Sequence, residues 1–120
     1  MFKPAAVLLA SVFALALSAS AAFAHAVLVK SSPGAGEALA QDDLELHLTF
    51  SEALEPRFSI FKIEAVDGAD AKVSVSFDDD RREVVLRLDE KLRAGSYRVR
   101  WKVVTKDTHR MEGALPFLVR

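Results

Sequence analysis

The three histidines of the chain, His25, His47 and His109, are its first candidates for binding a transition metal. His25 follows Ala22-Phe23-Ala24, and residues 1–24 combine an early lysine, an apolar run and a small-residue end, which predicts a cleaved secretory signal peptide. Cleavage after Ala24 would make His25 the amino-terminal residue. A terminal histidine offers two nitrogens to one ion, the α-amine and the imidazole Nδ1, whereas an internal histidine offers one.

Asp107 and His109 form a second candidate, because residues two apart in an extended segment point to the same side. Together with His25 they supply three nitrogens and one carboxylate oxygen. Such a set suits the tetragonal preference of Cu(II), the divalent ion at the top of the Irving–Williams order. Taken alone, the Asp-x-His spacing is more typical of an exposed turn, and cleavage before a histidine can occur by chance. The combination of the two features favours the metal site.

Other polar residues are weaker candidates. His47 lies in the polar phase of a predicted strand, so we expect it to face solvent. Asp78-Asp79-Asp80 lacks the glycine and distal glutamate of a calcium loop and predicts a charged turn. The chain has no cysteine, which excludes thiolate ligands and thiol catalysis and leaves stability to the hydrophobic core.

Composition and charge narrow the functional classes further. The chain has 16 basic and 17 acidic residues, and Lys3 is the one charge in the predicted leader, so nothing indicates electrostatic binding of nucleic acid. The leader has no Arg-Arg pair, which predicts export as an unfolded chain and metal acquisition afterwards. We expect residues 25–120 to form one small soluble domain.

The dominant hydrophobic period beyond the leader is two, which is typical of strands with one buried face. Turn residues such as Ser32-Pro33-Gly34 and Asp67-Gly68 separate the apolar runs. The pattern predicts an all-β, immunoglobulin-like Greek-key sandwich. Its predicted strands number about seven: Ala26–Val29, Leu44–Phe50, Phe58–Val66, Lys72–Phe77, Glu83–Leu88, Tyr97–Val103 and Leu115–Val119, with Pro116 indicating an edge or a bulge.

Several segments together resemble the CopC family of periplasmic copper-binding proteins. They are His25-Ala26-Val27-Leu28, Ser31-Ser32-Pro33, Phe50-Ser51-Glu52, and the run from Trp101 through Asp107 and His109 to Gly113. The resemblance implies a β-sandwich that binds one Cu(II) ion through His25, Asp107 and His109. It also implies a non-enzymatic periplasmic carrier, chaperone or buffer in copper homeostasis or resistance, which acts with a CopD-like inner-membrane transporter. We expect a monomer.

The resemblance bears on two further residues, Glu52 and Met111. Glu52 is the next candidate at the metal site, because a metal-bound imidazole usually donates its other N–H to a carboxylate; an ordinary exposed loop acid is an equally good interpretation. Many family members have a methionine-rich Cu(I) segment, but Met111 is the one methionine after the leader. We therefore expect a Cu(II) site alone and a packing role for Met111.

Two alternatives remain open. A metal-free immunoglobulin-like interaction domain would make the histidines incidental, because the fold by itself implies no function. A copper enzyme with a histidine brace would use similar ligands, but it needs an extended aromatic substrate surface. Trp101 and Tyr97 both lie in the predicted inward phase of their strand, and Asp107 would occupy a position needed for oxygen chemistry.

Overall fold

The structure of the chain is a computed structural model that describes residues 28–120. The predicted leader, residues 1–24, and the predicted ligand His25 lie outside the described residues, as does the start of the predicted first strand. The described part contains nine strands and one 3-10 turn, η1 (Pro56–Phe58). The strands are β1 (Leu28–Ser32), β2 (Ala38–Leu39), β3 (Glu45–Phe50), β4 (Ile60–Ala65), β5 (Asp70–Ala71), β6 (Val73–Phe77), β7 (Glu83–Leu88), β8 (Gly95–Val104) and β9 (Arg110–Val119). Residues 28–120 include no helix that could cross a membrane.

The strands form two sheets, which confirms the predicted immunoglobulin-like β-sandwich. One sheet has the order β1-β3-β7-β6 and the other the order β2-β9-β8-β4-β5. Alternate residues of the central strands point inward, as the period of two predicts. The core is made of leucine, valine, isoleucine and aromatic side chains from both sheets, among them Leu46, Leu48, Phe50, Ile63, Val84, Leu86, Val99, Trp101, Val103 and Phe117.

The structure has more and different strands than the sequence pattern predicts. Ala38–Leu39 and Asp70–Ala71 are two residues long, too short to show any alternation. The last strand begins at Arg110 rather than at Leu115, and Gly113 hides that beginning because it occupies an inward position without a side chain. The predicted strand from Phe58 instead begins at Ile60, after the proline-started turn η1.

Pro116 lies in β9, between β2 and β8, so it is not on an edge strand as the sequence indicates. It is opposite Arg98 of β8, and its carbonyl accepts the N–H of Gly36 at 2.8 Å, so its main-chain polar groups face away from β8. On that side β2 pairs with β9 only at Leu118 and Val119. The missing N–H of Pro116 therefore removes no bond of the β8–β9 ladder.

Candidate metal centre

The β8–β9 hairpin carries Asp107 at its tip and His109 at the start of the return. The N–H of Thr105 donates to the carbonyl of His109 at 2.9 Å, and the N–H of Thr108 donates to the carbonyl of Thr105 at 2.8 Å. Thr108 has φ 71°, the left-handed conformation that closes a three-residue hairpin loop after a type I turn. The hydroxyl of Thr108 donates to the Asp107 carbonyl at 2.6 Å. Asp107 and His109 therefore lie in a hairpin turn with fixed backbone geometry, and the extended segment assumed from the sequence is wrong.

Thr105 contacts both residues of the motif through its hydroxyl, the side chain of Asp107 and the main chain of His109. It is the one buried polar residue in the described part of the chain. Its Oγ1 donates to the Asp107 carboxylate and accepts the N–H of His109 at 3.1 Å. The Thr105 hydrogen bond, with a smaller contribution from the His109 ring, keeps the pKa of the Asp107 carboxyl below its ordinary value against the opposing effect of desolvation. Asp107 is therefore a carboxylate at neutral pH.

Main-chain hydrogen bonds bring the segment after β3 against the same hairpin. Leu54 forms an isolated antiparallel bridge with Thr105, and the N–H of Lys106 donates to the carbonyl of Ala53 at 2.9 Å. The Leu54 side chain is fully buried, so it anchors this segment in the core. Glu52 lies two residues before Leu54, so the bridge from Leu54 to Thr105 places Glu52 beside the hairpin.

Glu52, Asp107 and His109 form an exposed cluster at one end of the sandwich. One candidate ligand atom from each residue lies within 4.8 Å of the other two. His109 Nδ1 is 3.3 Å from Asp107 Oδ2. Among the residues that the structure describes, this is the one group of three histidine or acidic side chains with metal-site spacing. Asp107 and His109, the two residues of the Asp-x-His motif, therefore lie together with Glu52, the acid predicted to support them.

The beginning of β1 lies at this same end of the sandwich. Leu28, the first described residue, pairs with Phe50 in the antiparallel β1–β3 ladder, and Glu52 follows Phe50 by two residues. The beginning of β1 therefore lies beside the end of β3.

The other polar candidates lie elsewhere. His47 is half-buried on the outer face of β3, and its neighbours Leu46 and Leu48 point into the core. Its Nε2 lies 3.3 Å from the Glu45 carboxylate, and its Nδ1 lies 3.2 Å from the Glu83 carboxylate. This outward position confirms its predicted phase. Asp78 closes a turn by accepting the N–H groups of Arg82 and Glu83, each at 3.0 Å. The predicted charged turn is therefore confirmed.

Sequence reasoning missed the contribution of Thr105. It shares the inward phase of Trp101 and Val103, and a hydroxyl in that phase needs a hydrogen-bond partner. The alternation of inward residues along β8 could therefore have indicated that Thr105 is buried and hydrogen-bonded. Met111 is half-buried against the core, in agreement with its predicted packing role.

The CopC domain family matches residues 28–120, the whole described part of the chain. The chain belongs to the CopC family. The copper resistance protein C of Pseudomonas syringae pv. tomato is 37% identical to it over 119 residues, which cover 92% of this chain and 93% of that protein. The copper transport protein CutJ of Bacillus subtilis is 30% identical over 99 residues, which cover 81% of this chain but 18% of CutJ.

Solved structures of CopC proteins share the same sandwich. CopC from Methylosinus trichosporium OB3b matches with a TM-score of 0.71 and 31% identity over 79% of this chain and 93% of that one. PcoC, described as a methionine-rich copper resistance protein from Escherichia coli, matches with a TM-score of 0.68 and 32% identity over 78% and 97% of the two chains. These relatives are named for copper resistance and transport, and a copper-related role follows for the CopC domain described here.

Proposed function

We propose that the processed chain binds one Cu(II) ion through the α-amine and imidazole of His25, the carboxylate of Asp107 and the imidazole of His109. The observation that carries this proposal is the convergence of Glu52, Asp107 and His109 within 4.8 Å. Nitrogen and carboxylate donors suit Cu(II), whereas Cu(I) prefers sulfur. Glu52 is placed either to orient an imidazole or to complete the ligand set.

The strand register supports the participation of His25. Leu28 is three positions after His25 in the sequence. An extended chain rises about 3.3 Å per residue, so His25 has a reach of about 10 Å from the start of β1. Leu28 lies opposite Phe50, which is two residues from Glu52. The terminal amine therefore needs no rearrangement of the sheet to approach the cluster.

The exposure of the cluster supports a role in carrying or buffering copper. The side chains of His109 and Asp107 are 73% and 60% exposed, so a bound ion would be open to a partner on one side. We propose that the protein is exported, that it works in the periplasm, and that one chain supplies all the ligands of one ion. It would hold Cu(II) for a membrane transporter of the CopD type. The match to a segment of the longer transport protein CutJ supports such a partner.

We propose no catalytic role. Trp101 is buried, and Tyr97 is half-buried with its ring stacked on Phe117 at 5.7 Å. Neither ring is available for an aromatic substrate surface. Peroxide production by the reduced, copper-loaded protein above a free-copper control would contradict this part of the proposal.

A comparison of two amino termini tests the site. Protein that begins at His25 and protein with additional residues before His25 are titrated with Cu(II) against a competing chelator. The processed form should bind one ion more tightly, because only it has the free α-amine. Equal affinity of the two forms would overturn the amino-terminal part of the site.

A further inference from the structure

Among the strands of residues 28–120, β6 is an edge strand with one side unpaired. It lies at the end of the β1-β3-β7-β6 sheet, and within residues 28–120 only β7 pairs with it. Its five residues, Val-Ser-Val-Ser-Phe, include no charge and no proline. Soluble proteins usually protect such an edge with charged residues, proline, a bulge or a covering segment. The uncharged edge of β6 is therefore suited to pairing with another strand.

The hydrogen bonds to β7 show which residues offer their main-chain groups at this edge. The N–H of Asp78 donates to Glu83 at 3.1 Å, and the N–H of Asp89 donates to Lys72 at 3.2 Å. The polar groups of even-numbered residues therefore point to β7, because the direction alternates along a strand. The N–H and C=O groups of Val73, Val75 and Phe77 point away from β7.

The sequence of the edge is complementary to itself in the antiparallel direction. With Val75 on a two-fold axis, Val73 lies opposite Phe77 of a second copy, and Val75 lies opposite itself. Each residue whose main-chain groups point away from β7 therefore faces another such residue. Ser74 then lies opposite Ser76. At the ends, Lys72 lies opposite Asp78 twice, which places opposite charges in cross-strand pairs.

Side-chain exposure agrees with this register. Val73 and Phe77 are partly buried against the core, while Val75 between them is 40% exposed. A second Val75 on the two-fold axis would cover this exposed valine. The outer face of the pair would consist of serine and the two charged residues.

We propose that two copies of the chain pair through β6 in antiparallel register about Val75, which joins two four-stranded sheets into one of eight. Standard stable interfaces bury about 1,600 Å², more than two five-residue strands can provide, so the dimer is weak and depends on concentration. This differs from the monomer predicted from the sequence, and it is independent of the copper proposal because the Glu52, Asp107 and His109 cluster belongs to each chain alone.

Sedimentation of the metal-free processed chain from about 10 μM to about 1 mM tests the association. The wild type should shift from monomer toward dimer. Val75→Lys should raise the dissociation constant at least about tenfold, since it places two like charges opposite each other. Val29→Lys is the matched control, because Val29 is also an exposed valine on the edge strand at the other side of the same sheet, and it should dimerise like the wild type. A wild type that stays monomeric throughout, or equal loss in both variants, would overturn the proposal.

Disulfide formation tests the register, and only the introduced thiols can react because the chain has no native cysteine. Opposed residues of a non-hydrogen-bonded pair lie about 4.5 Å apart, within disulfide range, whereas diagonal neighbours lie about 7–8 Å apart. Mixed Ser74→Cys and Ser76→Cys chains should therefore form more mixed disulfide than the two homodimers together. Random proportions would show that β6 does not pair in this register.

Discussion

The buried hydroxyl of Thr105 donates a hydrogen bond to the carboxylate of Asp107 and accepts the N–H of His109 at 3.1 Å. One side chain from the inward face of β8 thus fixes both ends of the Asp-x-His motif. It also lowers the pKa of Asp107, so above acidic pH protons compete little with a metal ion for this carboxylate.

Replacement of Thr105 by valine should weaken copper binding. Valine has nearly the same shape, so we expect the fold to persist, while the Asp107 pKa rises toward its ordinary value. Loss of a residue that orients a ligand typically costs about 10-fold to 100-fold in metal affinity. Carboxyl NMR titration of the metal-free protein and a chelator competition assay measure the two effects. Thr105→Ser retains the hydroxyl and should behave like the wild type in both assays.

Removal of either motif side chain should have a larger effect. Asp107→Asn and His109→Ala should each reduce Cu(II) affinity by about 100-fold or more, since a ligand contributes at least as much as its supporting residues. His47→Ala is the matched control, because His47 bonds Glu45 and Glu83 rather than the cluster. Equal losses in His47→Ala and His109→Ala would mean that the cluster is not the copper site.

Glu52→Gln separates the two interpretations of this residue. The substitution preserves shape and removes the charge, so affinity should fall about tenfold if Glu52 orients or binds at the ion. Glu90→Gln, at another exposed acid outside the cluster, controls for net charge. If the two variants bind Cu(II) equally well, Glu52 is an ordinary loop acid.

Copper affinity should fall on acidification from about pH 8 to about pH 5. The ligating α-amine and imidazoles must be deprotonated, and their unperturbed pKa values are about 7.7–8.0 and about 6.5. Asp107 adds little in this range, because its carboxyl is ionised in the folded state, where the Thr105 hydrogen bond lowers its pKa, and also in the unfolded state, where its pKa is ordinary. Its contribution to stability is lost only as the pH falls through the folded pKa. Competition titrations across this range measure the effect, and a constant affinity would contradict the nitrogen ligand set.

Gly113 leaves no room for a side chain beside Trp101. A Cβ atom at Gly113 would lie 2.5 Å from Trp101 Cζ2, and the buried Trp101 ring packs edge-on against Phe50 at 5.9 Å. We expect Gly113→Ala to lower the free energy of unfolding by about 1–3 kcal/mol through overpacking. Chemical denaturation of a double-mutant cycle checks this: the cost should shrink in a Trp101→Phe background, where the crowded ring atoms are gone. An equal cost in both backgrounds would point to the backbone instead.

The alternation of apolar residues predicted the strands with long, regular patterns correctly, because a strand with one buried face needs apolar side chains at every second position. Leu44 to Phe50 and Tyr97 to Val103 are examples, with Trp101 and Val103 in the core. The pattern failed where side chains carry no signal. Gly113 concealed the first half of β9, and Ala38–Leu39 is too short to show a period.

The sequence by itself determined the all-β class and the family, because these depend on side-chain period and on motifs along the chain. It also indicated that Asp107 lies near His109, but the two residues meet in a hairpin turn and not in the extended segment that the spacing argument assumed. The tertiary structure decided that Glu52 joins them, that Thr105 holds them and that β6 keeps an open edge. The contacts of Thr105 are local, but its burial comes from the packing of the sandwich. The position of Glu52 and the edge of β6 depend on register between segments far apart in sequence, such as the bridge from Leu54 to Thr105. Register is set by how the two sheets pack around the whole core, and no local pattern of residues records it.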